Sequence, residues 1–551
     1  MRKKKILFCS EATFLNTGYA TYTREIMNYL HSTGKYELAE LGSYGEQDDP
    51  RARNIPWTYF SAMLPKDPSQ REQEIFKSKY TMQFGEYAFK DVCLQFRPDI
   101  VCDIRDFWML EFQERSPYRK FYKWCIMPTV DAEPQATQWI QTYSSADACL
   151  TYSDWSGELL KRQSDGAINY IGSAPPSAHS AYSVIKDKKE CRKELGLPEN
   201  AKIIGTVMRN QRRKLYPDLF KTFKMILETV PDPENYLLYC HTSFPDMGWD
   251  LPELMIKEGI ASKVIFTYIC IETKKTYSTF FAGPTSISPF TNKMSGVIAS
   301  VQQGASYDSL STIMSSFDLY VQYANSEGFG LPQVEAAACG VPVAAVDYSA
   351  MHSVINQLGG LSLKTKALYK EMETGCMRAV PDNEYAAEEI CKFFKLSEDI
   401  RKNTGKDIKQ NFLKHFQWDK SGQVWEKYFD SVEIEPDEKT WLSQPDIQRP
   451  AAKPEESEFN SVTEMTNFLI DEVLRQPEHK NSFFSLRLRR DLLYRFSTSA
   501  VDGIYMNDSS MVGDPSKKAN LFNFDKAYEI MKNRRLEINM YEDIRKRAFN
   551  L

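Results

Sequence analysis

Short apolar runs recur along the chain at 6–9, 98–103, 124–127, 146–150, 202–208, 236–241, 317–321 and 341–346, each closed by a polar or glycine-bearing turn. Their length and near-continuous hydrophobicity predict strands buried on both faces, as in a parallel sheet. Several of the stretches between them carry helical spacing, as where Ile26, Met27 and Leu30 share one face after the first run. Strands and helices taking turns predict an α/β chain with two Rossmann-like parts. The first would span 1–180 and the second 181–432, the polar stretch 186–196 forming the entry to the latter.

The most informative string is Asn325-Ser326-Glu327-Gly328-Phe329-Gly330-Leu331-Pro332-Gln333-Val334-Glu335, which runs on to Cys339-Gly340-Val341. It reads as strand, glycine turn, helix, strand, with Pro332 where a first helical residue belongs and Gly340 as the stop. A turn that feeds a helix N-terminus offers unpaired N–H groups and the positive end of the helix dipole, which favour phosphate. Glycines at 328 and 330 would let a phosphate approach closely. Glu327 and Glu335 flank the cradle, and carboxylates accept hydroxyls rather than phosphate. A ligand with polyols at both ends and phosphates between them fits this layout, and a sugar nucleotide is one. A solvated Glu327 and a Glu335 that merely complements a helix start explain either residue alone, but not the whole string.

That string resembles the signature of family-4 retaining glycosyltransferases, whose GT-B architecture sets two Rossmann-like domains face to face with the ligand between them. With its C-terminal stretch, the chain looks like bacteriophage-borne members that carry a helical extension. The resemblance covers roughly 1–430 and is strongest in the second part. It implies that Glu327 holds donor-sugar hydroxyls and Glu335 the ribose. It further implies that the turn Gly328-Phe329-Gly330-Leu331 lies at the donor, the amides of Gly330 and Leu331 meeting the distal phosphate. Gly18, in Thr17-Gly18 where most of the family has two glycines, would abut the donor phosphate from the first domain. Arg209 and Lys214, in the basic turn that also holds Arg212 and Arg213, would face the diphosphate; the latter two are expected in solvent or toward the acceptor. Fixed cations there would stabilise the charge of a departing nucleoside diphosphate. Asp131 stands where many relatives have histidine, and either accepts or orients a hydroxyl or makes an Asx turn before Pro134. His241, at a strand exit, either contacts the donor or packs.

The remaining features bound the setting. A net charge of −5 over 551 residues gives no global basic signature, and 26% charged with 42% hydrophobic residues is ordinary for a globular protein. Eleven cysteines without a CxxC pair point to reduced thiols and a cytoplasmic location. Met1-Arg2-Lys3-Lys4-Lys5 leads straight into a strand, so no secretory leader is expected, and no apolar run is long enough to cross a bilayer. Asp103 and Asp106 are weighed as metal ligands and read as strand-end polar residues; no metal and no cofactor are expected. Residues 270–305 read as an inserted loop, 416–430 as a helix crossing back onto the first domain, 433–460 as a Pro- and Glu-rich linker, and 461–551 as helical, with a basic patch at 485–490.

The function expected is transfer of a sugar from a nucleotide-sugar donor to a hydroxyl of a glycan, a lipid-linked glycan or a modified base. A bacteriophage enzyme that glycosylates hydroxymethylated pyrimidines in DNA is the first alternative. A non-catalytic sugar-nucleotide-binding module is the second.

Overall fold

The computed structural model describes residues 2–116, 118–300, 303–443, 451–473, 523–529 and 531–532. The first sheet contains β1 (Lys4–Glu11), β2 (Tyr36–Ser43), β3 (Thr58–Ser61), β4 (Ile100–Ile104), β5 (Lys123–Met127), β6 (Ala148–Thr151) and β7 (Tyr170–Ser173). All its pairings are parallel, in the order β3-β2-β1-β4-β5-β6-β7. The continuous apolar runs follow from this topology, because alternate residues of one strand feed cores on opposite faces. Ile6 and Phe8 pack with Ile26 and Leu30 of the helix Gly18–Thr33, while Leu7 and Cys9 join Phe89 and Val92 on the other side.

The second sheet repeats the plan. Its strands are β8 (Lys202–Val207), β9 (Tyr236–His241), β10 (Val264–Cys270), β11 (Thr276–Phe280), β12 (Thr285–Ser286), β13 (Gly296–Ile298), β14 (Leu319–Gln322), β15 (Val343–Val346) and β16 (Leu361–Leu363). The parallel part runs β10-β9-β8-β14-β15-β16. The region 270–305, read from sequence as a loop without core, instead extends the sheet: β11 and β13 pair antiparallel with β10, and Tyr277 and Ile298 enter the core. Strands of two to five residues, rich in Ser and Thr, are too short to show a period. After β16 a hairpin, β17 (Thr365–Lys370) and β18 (Met377–Pro381), precedes the helix Asn383–Lys395.

The helix Trp418–Ser431 packs against the first sheet. Trp425 is fully buried, its ring 5.9 Å from that of Phe8, and its indole N–H donates to the Tyr22 hydroxyl at 3.0 Å. Tyr29 donates to Glu426 and Lys35 to Asp430 across the same seam (2.7 and 2.8 Å). The stretch read as a linker begins with an anchor: Trp441 is buried among Tyr118, Phe121 and Tyr122, and its indole donates to the Pro98 carbonyl (3.2 Å). The helix Val462–Phe468 follows; the basic patch at 485–490 lies outside the described residues. Among the described residues no helix is long and apolar enough to cross a membrane. All eleven cysteines are buried free thiols.

Candidate active site

In a doubly wound parallel sheet, ligands bind beyond the carboxyl ends of the strands where the strand order reverses. Here the reversals fall between β1 and β4 in the first sheet and between β8 and β14 in the second. The loops leaving those strands are 12–17, 105–106, 208–215 and 323–330, and they hold most of the chemistry.

Glu327 stands at the centre. Arg213 Nη1 donates to one carboxylate oxygen at 2.6 Å, while Lys214 Nζ and the Gln322 amide (2.9 Å) donate to the other. Its N–H donates to Ser349 Oγ at 2.9 Å, and the Ser349 hydroxyl returns a bond to its carbonyl at 3.1 Å. The two loops are joined by a backbone bridge between Lys214 and Ala324, and the Trp249 indole donates to the Lys214 carbonyl (2.8 Å). Lys214 and Glu327 are nearly buried, whereas Arg213 remains 45% exposed. Burial pushes the Lys214 ammonium well below its ordinary range, and the neighbouring Arg213 adds to that. Two cations thus hold one buried carboxylate, at a place where an arriving anion could take them over.

The turn behind Glu327 has the backbone its sequence demands. Gly330 has φ +86° and precedes the helix Leu331–Ala338, with Pro332 in its first turn. The Gln333 amide donates back to the Phe329 carbonyl (3.0 Å). Phe329, expected at the donor, turns its ring into the core against Phe416 (5.9 Å), leaving only its main chain at the turn. Gly328 serves domain contact, because a Cβ there would lie 2.5 Å from Thr129 Cγ2 of the first domain. Burial pushes the Glu335 carboxyl up to about 7, opposed by the Tyr182 hydroxyl that faces it.

From the first domain, Gly18 opens its helix after the cap residue Thr17, and a Cβ at Gly18 would meet nothing within 4 Å. The Tyr19 hydroxyl bonds both Asp106 Oδ1 and Thr129 Oγ1 at 2.6 Å. Burial raises the Asp106 pKa, and the bond from Tyr19 opposes the rise. Asp131 makes an ion pair: Arg378 Nη1, on β18, donates to it at 2.8 Å, and the Ser326 hydroxyl lies 3.4 Å away. Arg378 also holds Glu371 (2.7 Å) and Ser326.

Arg209, expected to face the diphosphate, is held by Asp246 through two bonds, at 2.9 and 3.0 Å, while Lys214 bonds Glu327. Arg213, expected in solvent or at the acceptor, joins Lys214 at Glu327. His241 sits in the sheet beside Thr267 (3.0 Å), where burial lowers its pKa to about 4 and keeps it neutral. Asp103 is fully buried and accepts from the Trp124 indole (2.7 Å) and Arg105 (2.6 Å). Among the described residues no group of three or more His, Cys, Asp or Glu could hold a metal ion. Arg378 and the partners of Asp106, Tyr19 and Thr129, had no local sequence signal.

Residues 299–409, which include both glutamates, match a protein-family model described as Glycosyl transferases group 1. No curated protein matches the chain. Among solved structures it is similar to sucrose-phosphate synthase from Thermosynechococcus elongatus, with TM-score 0.54, 16% identity, and coverage of 78% of this chain and 100% of that one. A glycosyltransferase from Rickettsia africae gives 0.54, 13%, 78% and 98% in the same terms. Anabaena HepE in complex with UDP and glucose gives 0.52, 14%, 78% and 100%. Likeness at this level of identity shows the fold, and the fold is GT-B.

Proposed function

We propose that the protein is a retaining glycosyltransferase, moving a sugar from a nucleotide-sugar donor to a hydroxyl of its acceptor. The family match over 299–409 supports sugar transfer. The observation that carries the finer reading is Glu327 held by Arg213 and Lys214 at the switch point of the second sheet, on a turn that meets Thr129 and Asp131 of the first domain.

In this account the donor diphosphate takes over Lys214 and Arg213 and meets the amides of Gly330 and Leu331, with Arg209 at the margin. Released from its cations, Glu327 accepts hydroxyls of the donor sugar and opposes the positive charge that builds at the anomeric carbon. Glu335, once ionised, accepts the ribose hydroxyls. The bond from the anomeric carbon to the phosphate oxygen breaks, and the acceptor oxygen bonds that carbon on the same face. The acceptor proton passes to the leaving phosphate oxygen, so no protein nucleophile enters. Asp131, fixed by Arg378, orients a hydroxyl at the junction. Positive charge is supplied by side chains and amides, and the scheme uses neither metal nor cofactor. The eleven free thiols support a cytoplasmic setting.

A thermal-shift screen of nucleotide sugars, followed by NMR of the product anomer, tests this reading. We expect one donor to stabilise the protein and its anomeric configuration to survive in the product. No stabilisation by any nucleotide or nucleotide sugar would contradict it. Donor binding with neither transfer nor slow hydrolysis would favour the non-catalytic module.

A further inference from the structure

We infer that the acceptor is a neutral glycan, held on an aromatic rim formed by Tyr44, Tyr80 and Trp108 beside the cleft; this rests on the sugar-transfer reading above. These three large side chains are 47%, 51% and 44% exposed. All belong to the carboxyl end of the first sheet. Tyr44 directly follows β2, and Trp108 lies in the short helix Phe107–Leu110 that follows β4. Tyr80 opens the turn Tyr80–Phe84, which packs against that helix. The Tyr80 hydroxyl donates to Glu111, three residues beyond Trp108, and the Tyr44 ring stands edge-on to Phe84 at 6.0 Å.

The rim joins the catalytic cleft at two points. Asp106, bonded to Tyr19, is two residues before Trp108. Ser43, next to Tyr44, is paired in the sheet with Glu11, whose carboxylate accepts from Thr17 beside Gly18. An occupant of the rim would therefore lie next to Asp106 and Glu11, at the switch point of the first sheet.

The charge around the rim selects the class of occupant. Glu11, Asp106 and Glu111 are acidic, whereas Asp131 is paired with Arg378 and Lys79, next to Tyr80, with Glu86. Arg105 beneath it is buried and paired with Asp103, and Arg51, over the Phe14 ring, is paired with Asp49 at 2.8 Å. A nucleic-acid backbone needs cations to neutralise its phosphates and would meet carboxylates here. A glycan presents what this surface accepts: C–H faces to lie on aromatic rings and hydroxyls to donate to carboxylates.

The test uses the full chain saturated with the nucleoside diphosphate found in the donor screen. Retention of neutral oligosaccharides on a glycan array is compared with binding to a duplex carrying 5-hydroxymethylcytosine. We expect neutral glycans to be retained and the duplex not. Trp108→Ala and Tyr44→Ala should each weaken glycan binding about tenfold, the loss of one stacking contact, with Trp108→Phe recovering most of it. Transfer kinetics on a retained glycan should then show the acceptor KM rising while the donor KM moves by less than about threefold. Binding of the duplex with a steep salt dependence, failure to retain any neutral glycan, or glycan affinity that ignores both substitutions would each overturn the inference. If no nucleotide sugar or nucleotide stabilises the protein at all, the fault lies with the sugar-transfer reading instead.

Discussion

Glu40, at 2% exposure on β2, accepts from the Trp57 indole at 2.9 Å and from the Thr13 N–H at 3.4 Å. Burial pushes its carboxyl from an ordinary 4.5 up to about 7, against those two bonds. The sign of the consequence follows from linkage. The folded state holds this proton more tightly, so the stability belonging to the protonated form is complete below about 4.5 and is lost as pH rises to about 7. Glu40→Gln removes that loss while keeping an acceptor for Trp57. Urea unfolding should show the variant gaining on the wild type between pH 4.5 and pH 8, by at most about 3 kcal/mol. A gap independent of pH would refute the assignment. His241, lowered to about 4, carries no charge at neutral pH, so a change in activity near pH 6.5 would belong to another group.

At the scale of elements, the turn before the helix Leu331–Ala338 separates two uses of glycine. Gly330 sits at φ +86°, and an added Cβ would lie 2.7 Å from the Gln333 amide nitrogen. Gly330→Ala should therefore cost about 1–3 kcal/mol in unfolding free energy and raise the donor KM as the turn shifts. Gly18→Ala meets open space and occupies a helical position, so stability should hold, and any rise in donor KM would report crowding of the ligand itself. Equal destabilisation by both would contradict this distinction.

The alternation of strands and helices was legible because each buried strand is a continuous apolar run, and the Glu327 turn was legible because its parts are contiguous. The edge strands within 270–305 were not, being too short to carry a period. The pairing of Arg213 with Glu327 was not legible, because a run of cations does not reveal which one turns toward a carboxylate 114 residues away. Arg378 and Asp131, separated by 247 residues, meet only once the β17–β18 hairpin reaches the first domain. The same limit hid the contact that makes Gly328 a glycine.

At the scale of the whole molecule, the two domains are tied together by segments that follow the second sheet and by one direct bond between their helices. The helix Trp418–Ser431 returns to the first sheet through Trp425, and Trp441 docks beyond it. On the opposite side the hairpin fastens the second domain: the Met377 N–H donates to the Glu133 carbonyl at 2.7 Å beside the Arg378–Asp131 pair. Nearer the cleft the Trp155 N–H donates to Ser353 Oγ at 2.9 Å. This framework presents Glu327 to the first domain's Asp131 and Asp106, so the account requires Glu327 to act in turnover rather than only to neutralise Arg213 and Lys214. Replacing it with Gln keeps shape and hydrogen bonding and frees both cations for a diphosphate. The most direct measurement is kcat and donor Kd for Glu327→Gln beside the wild type, using the donor found by screening. We predict that kcat falls by about a hundredfold or more while donor affinity is retained or tightened. Unchanged turnover, or a loss confined to donor binding, would contradict the account.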